Sequence, residues 1–255
     1  MAEPVEVIRA GVLGAVPHGF LGRRGGVSTG VVAGLNTGLG SGDDEANVAE
    51  NRARAAAAVL PGAVLTGIYQ IHSPSCVIVD QPWSDKARPQ ADALVTARSG
   101  VLLGIVTADC APVLLADSDA GVIGAAHAGW KGAIGGVTDN CIAAMEALGA
   151  RRTQISAAIG PCIGPASYEV DDGFAARFSE VDRENARFFA AGRAGHWQFD
   201  LAGYVASRLA AAGIGKVECL GLDTLSAPDR FYSYRRATLA GEPAYGRQIS
   251  LIGLN

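Results

Sequence analysis

The sequence predicts an α+β fold with mixed β-sheets covered by helices, and three observations predict it. Short apolar runs bounded by Gly, Pro, Asp or Ser cluster through the middle of the chain. Segments with helical spacing flank that cluster instead of alternating with it, which argues against a doubly wound parallel sheet. With 255 residues, 49% of them apolar, the chain can bury a large core without disulfides. No linker, repeat or charge block divides it, so a single domain over residues 1–255 is expected.

Residues 44–60 (DEANVAENRARAAAAVL) predict a helix, because Ala, Glu and Arg favour it and Pro61-Gly62 stops it. Strands are expected over 64–71, 76–80, 93–96, 101–106, 112–116 and 122–126. At 131–148 the period changes. Ile134, Val137, Cys141, Ile142, Met145 and Leu148 share one helical face, and Gly149 follows as a C-cap. The expectation continues with strands at 155–159 and 167–170 and one or two helices within 171–190. A helix over 201–212 ends at Gly213, and strands follow at 217–220 and 247–252.

A net charge of −4 argues against a nucleic-acid binder, which needs a basic face. The opening MAEPVEVIRAGVLGAV lacks the basic-then-apolar pattern of a secretory leader, and the apolar run 101–106 is too short to span a bilayer. Five cysteines with no CxxC pair fit reduced thiols. The expected location is the cytoplasm, and the expected partners are small molecules, not membranes or nucleic acids.

Three polar residues stand where buried strands meet turns: His72 in IYQIHSPS, Cys110 closing VLLGIVTADC, and His127 in VIGAAHAGWKG. Reactive groups are commonly placed on such loops, anchored by a rigid strand. Two imidazoles and a thiolate suit zinc, and three protein ligands leave a fourth position open, where a bound water would fall to a pKa of about 7. The spacing matches no short zinc motif. The same residues allow a metal-free reading, with Cys110 as nucleophile and His127 as its base. Asp109, beside Cys110, is a candidate for moving protons.

Weaker patterns take structural readings. Gly26-Val27-Ser28-Thr29-Gly30 matches a nucleophile elbow but lacks the strand before it and the helix after it. The loop 38–42 (GLGSG) fits neither dinucleotide nor P-loop fingerprints, yet its amides precede a helix and could hold an anion. Pro161-Cys162-Ile163-Gly164 lacks the second cysteine of the base-deaminase signature. His18, His196, Cys76 and Cys141 read as structural, and Cys162 reads equally as a turn residue or as support for the site. Arg23, Arg24, Arg235, Arg236 and Arg247 are further anion-binding candidates. Arg52 shares a helix face with Val48 and Val59 and is expected to point inward, where it needs an anionic partner.

At this point the chain resembles the YfiH-like family. The resemblance rests on QIHS (70–73), TADCAPVLLAD (107–117), GAAHAGWKG (124–132) and AIGPCIGPASYEV (158–170). It is joined by RGGVS (24–28), NTGLGSGDD (36–44), NR (51–52), FYSYRR (231–236) and GRQ (246–248), in order over nearly the whole chain. The resemblance implies an α+β domain related to a toxin with a cysteine-histidine active site. It implies two His and one Cys as metal ligands, falling on His72, Cys110 and His127. Members have been labelled copper-dependent polyphenol oxidases (laccases), then zinc-dependent purine nucleoside phosphorylases with adenosine deaminase and methylthioadenosine phosphorylase activities. Some are linked to peptidoglycan editing. Zinc is the expected cofactor, with copper an alternative; a purine nucleoside and phosphate are the expected substrates, and Arg52, Ser28, Asn36 and Gly40 the candidates for binding them. Where members often carry Cys-Thr ahead of the FYSYRR segment, this chain has Asp223-Thr224, with Cys219 four residues earlier.

Overall fold

Runs such as VLLGIVT, APVLLAD and VIGAAHA have no polar face, and such strands must be covered on both sides. The computed structural model, which describes residues 3–255, covers them in four layers: helix, sheet, sheet, helices. Met1 and Ala2, the start of the segment read above for a leader, lie outside the described residues.

The first half contains β1 (Val7–Ile8), β2 (His18–Leu21), α1 (Glu45–Val59), β3 (Val64–Gly67), β4 (Cys76–Ile78), β5 (Ala93–Thr96), β6 (Val101–Thr107), β7 (Ala111–Asp117) and β8 (Val122–Ala128). Then come α2 (Trp130–Gly135), α3 (Val137–Ala147), β9 (Ser156–Ile159), β10 (Glu169–Asp171), α4 (Asp172–Val181), β11 (Phe189–Ala191) and β12 (His196–Phe199). The chain finishes with α5 (Leu201–Ala211), β13 (Lys216–Cys219), α6 (Tyr234–Ala240) and β14 (Gln248–Gly253). One sheet has the order β1-β2-β14-β6-β3, a second β13-β9-β7-β8-β5-β4, and a small third β10-β12-β11. The two large sheets are mixed: β3–β6, β4–β5 and β9–β13 are parallel pairs, and the others are antiparallel.

Alternation along each strand sorts the core. Leu114 and Ala116 of β7 enter the space between the large sheets with Phe20, Leu103 and Ile105. Val113 and Leu115 face the other way, toward Cys141, Ile142 and Met145 of α3 and Tyr204 and Leu209 of α5. On the outer face of the first sheet, Leu102, Ile249 and Leu251 pack against Ala55 and Val59 of α1.

The α+β architecture follows the expectation, and several elements refine it. The helix expected over 131–148 is two helices, because Gly136 adopts φ 91° and turns the chain between them. The strand expected over 64–71 stops at Gly67, where the chain leaves the first sheet. β1, β2, β11, β12 and α6 were not expected: they are short, and α6 buries only Ala237, so no apolar stripe marks it. Among the described residues no helix is long and apolar enough to cross a membrane.

Candidate metal centre

β3 and β6 are parallel neighbours in the first sheet, and each is followed by a strand of the second sheet, β4 and β7. The chain therefore crosses between the sheets twice, side by side, at one end of the sandwich. His72 lies in the first crossing, and Cys110 ends the second. His127, the penultimate residue of β8, sits opposite Pro112 of β7 and closes the group from the side. Both crossings bend through the left-handed region, His72 at φ 60° and Asp109 at φ 84°. These are the only non-glycine residues with positive φ among the described residues.

One donor atom from each of His72, Cys110 and His127 lies within 4.8 Å of the others. Cys110 Sγ is 3.9 Å from His72 Nε2. Tetrahedral zinc would hold such donors roughly 3.3–3.6 Å apart, so the set fits after a small inward shift. His72 is exposed, Cys110 half-buried and His127 buried. A Cβ at Gly129 would stand 2.8 Å from His72 Cδ2 and 3.0 Å from Cys110 Sγ. The glycine thus leaves room for the donors to meet.

Asp92, which sequence reasoning missed, organises the group. It is fully buried just before β5. Its Oδ1 accepts from His127 Nδ1 at 2.8 Å and from the His72 amide at 2.9 Å. Its Oδ2 accepts from the amides of Ile71 and Ser73 and from the Ser73 hydroxyl. The bond to Nδ1 leaves His127 Nε2 free as a ligand, the arrangement that carboxylates give to metal-bound histidines. The one available signal was a lone Asp opening an otherwise apolar strand.

Burial alone would raise the Cys110 thiol, but the charge on His127 and hydrogen bonds from His127 and His72 bring it down to about 7. Burial would lower His127, yet the Cys110 thiolate and the Asp92 carboxylate carry it up to about 9. Burial works to raise Asp92 as well, and hydrogen bonds from His127 and Ser73 outweigh it and hold the carboxyl near 2. In the metal-free group the Cys110 thiol therefore ionises more readily than a free one, His127 holds its proton more tightly, and Asp92 stays a carboxylate.

Two cavities meet at the donors, and His72, Ala108, Cys110 and Tyr234 line both. One, of about 690 Å³, has Trp130, Tyr168 and Phe174 in its wall. The other, of about 610 Å³, has Arg52, Gly40 and the Cys110 loop. Arg52 does point inward, as its helix face required; its Nη2 donates to Asp85 at 2.9 Å. Gly40 lies at the rim of this cavity. Ser28 and Asn36 are buried and line neither: both donate to Asp43, and Asn51 ties Ser28 to the Asn36 carbonyl. Asp109 borders the aromatic cavity, its carboxylate accepting from Thr224, Ser233 and the Arg235 amide. Asp223 accepts from Ser167 and from the amides of Gly164 and Leu225 and so pins the 164–167 turn. Cys162 is buried in the core. His18 is held by its own backbone neighbourhood, and His196 sits at the aromatic cavity's edge.

Fold and site together define a two-sheet sandwich with one His-Cys-His group able to hold a metal at the junction of two cavities. A family model described as "Multi-copper polyphenol oxidoreductase laccase" matches residues 17–255, and the chain belongs to this family, also called YfiH or DUF152. A Deinococcus radiodurans protein named purine nucleoside phosphorylase is 45% identical over 256 residues, covering 99% of this chain and 94% of its own. A Streptomyces griseus protein named purine nucleoside phosphorylase ORF3 is 40% identical, covering 92% and 95%. Among solved structures, a Neisseria meningitidis DUF152 protein superposes with a TM-score of 0.88 at 33% identity, over 98% of this chain and 99% of its own. YlmD from Geobacillus stearothermophilus gives 0.88 at 29% identity, over 100% and 97%.

Proposed function

We propose that this protein is a cytoplasmic, zinc-dependent purine nucleoside phosphorylase acting on adenosine, inosine, guanosine and methylthioadenosine, with adenosine deamination as a side activity. The observation that carries the reading is the convergence of His72, Cys110 and His127 where two adjoining cavities meet, which leaves room for two substrates beside one group of donors. The names of the Deinococcus and Streptomyces relatives support it.

In phosphorolysis a phosphate oxygen bonds to ribose C1′ while the C1′–N9 bond breaks. The electron pair leaves with the purine, which takes up a proton, giving free base and ribose 1-phosphate. In deamination, water replaces the C6 amino group and ammonia leaves. His72, Cys110 and His127 would hold the zinc, which would supply Lewis acidity toward a substrate oxygen or nitrogen. The chain's own residues hold that arrangement in place. Asp92 fixes the His127 ring and the His72 backbone. We assign Asp109 to holding the 108–110 turn instead of moving protons, because three donors already occupy its carboxylate. Trp130, Tyr168 and Phe174 offer flat apolar faces to a purine.

A second reading has a specific observation behind it. The Cys110–His127–Asp92 chain has the order of a cysteine hydrolase's nucleophile, base and orienting carboxylate, and would suit an amide such as a muropeptide. Copper phenol oxidation is less well served. Multicopper chemistry needs several metal centres, and the described residues contain one cluster of three donors. Copper would still bind these ligands well, so metal content must be measured before activity is read.

The test is anaerobic turnover of adenosine, inosine and guanosine with phosphate, on metal-analysed protein and on Cys110→Ala. Free base and ribose 1-phosphate, abolished by chelation, restored by zinc and absent in the variant, are expected. Full zinc occupancy with no turnover sinks the phosphorylase reading. Amide cleavage that survives chelation and fails after thiol alkylation establishes the hydrolase.

A further inference from the structure

We propose that the two cavities divide the two substrates. In this division the arginine-lined cavity binds phosphate through Arg247, Arg52 and Arg88, and the aromatic cavity takes the nucleoside; the proposal rests on the phosphorylase reading above. Charge makes the division. The wall of the first cavity carries Arg52, Arg88 and Arg247 and no carboxylate. The wall of the second carries three cationic side chains, Lys131, Arg177 and Arg235, against three carboxylates, Asp109, Glu169 and Asp171. An oxyanion entering from the shared mouth meets net positive charge on one side only.

Arg247 is the decisive residue. Its Nη1 is buried and has no hydrogen-bond partner, although buried guanidinium donors are costly to leave unpaired. Its Nη2 donates to Tyr245 Oη at 3.2 Å, and the guanidinium lies 4.8 Å from the centre of the Tyr245 ring. No carboxylate among the described residues pairs with it, whereas Arg52 is balanced by Asp85. Nη1 itself is closed off, so the phosphate meets the guanidinium where it lines the cavity, and a planar fork matches phosphate oxygens.

The surroundings hold Arg247 in this pose. Asn36 Oδ1 accepts from its amide at 2.9 Å, and its carbonyl accepts from the amide and hydroxyl of Thr37. Gly38 packs on the arginine, where a Cβ would come within 3.0 Å of Nη1. The buried network through Ser28, Asp43 and Asn51 fixes Asn36 in turn. Ser28 and Asn36, expected from the sequence to touch substrate, thus act one step behind, as positioning residues for Arg247.

The test is calorimetric titration of inorganic phosphate into the zinc-loaded protein, beside steady-state kinetics. Arg247→Met should weaken phosphate binding at least about tenfold and raise the KM for phosphate while leaving the KM for nucleoside near wild type. Arg177→Met, in the other cavity, should leave phosphate affinity unchanged. If Arg247→Met does not fold, as judged by its thermal unfolding, Arg88→Met, just after the 3-10 turn Asp85–Ala87 in the wall of the same cavity, carries the same test. Phosphate affinity unaltered by the loss of Arg247, lost with Arg177, or absent in wild type overturns the assignment. Phosphate binding that depends on Arg247 in a protein that releases no base keeps the anion chamber and removes the phosphorylase reading.

Discussion

Replacing Asp92 with Asn keeps the shape of a side chain that accepts five hydrogen bonds but puts an NH2 where one of its oxygens was. If the NH2 takes the Oδ1 position, the His72 amide loses its acceptor. His127 Nδ1 must then accept instead of donate, which moves its proton to Nε2 and removes the metal-binding lone pair. If the NH2 takes the Oδ2 position, the amides of Ile71 and Ser73 both lose their acceptor. Each part-buried donor left unpaired costs up to about 1–3 kcal/mol, so the second orientation costs at most about 2–6 kcal/mol. The first adds a loss of metal affinity of about 10–100-fold, the usual effect of removing a carboxylate behind a ligating histidine. Both outcomes are measurable, by urea unfolding of the metal-free protein and by competitive zinc titration. An Asp92→Asn protein with wild-type unfolding midpoint and wild-type zinc affinity would refute the role given to this carboxylate.

Three further outcomes are expected. Gly129→Ala drives a methyl against His72 and Cys110 and should lower zinc occupancy at a given free zinc level, read by elemental analysis, with little change in far-UV circular dichroism. Burial opposes the Asp223 charge, but hydrogen bonds from Ser167, Gly164 and Leu225 outweigh it and hold the carboxyl below its ordinary value. Its stabilisation is therefore complete above roughly pH 5 and lost as pH falls through the lower folded value, so Asp223→Asn should flatten the acid limb of a Tm-against-pH curve. In chelated protein, iodoacetamide should label exposed Cys219 and half-buried Cys110, sparing Cys141 and Cys162, which are buried and whose thiols are pushed up. Peptide mass mapping should show zinc protecting Cys110 alone; equal labelling with and without zinc would count against the ligand set.

What the sequence made legible is what local pattern controls. His72, Cys110 and His127 stood out because each interrupts an apolar run at its end. Arg52 was readable as inward because helical spacing put it beside Val48 and Val59. Asp92 was invisible for a physical reason: it becomes a hub only when the chain ahead of β5 lies beside the end of β8 and under the crossing that carries His72. Those contacts span 35 and 20 residues. Arg247 is the extreme case, held by Asn36 across 211 residues. The elements missed, α6 and β12, owe their existence to partners and not to propensity. Trp197 of β12, for example, donates to Asp172 at the start of α4.

The two left-handed residues and the two buried carboxylates of the site belong to one design. A non-glycine residue at positive φ costs of order 1–3 kcal/mol and persists only when its surroundings hold it. His72 sits at φ 60° with its amide on Asp92, and its neighbours Ile71 and Ser73 donate to the same carboxylate. Asp109 sits at φ 84° and uses its own carboxylate to grip Thr224, Ser233 and the Arg235 amide. Each sheet crossing thus has one strained residue and one carboxylate to hold it, and each delivers one donor, His72 or Cys110. The third donor, His127, shares the first carboxylate and so is tied to the first crossing. The donors are therefore positioned by the fold before any metal arrives, and loosening either carboxylate should disturb a ligand that it does not itself touch.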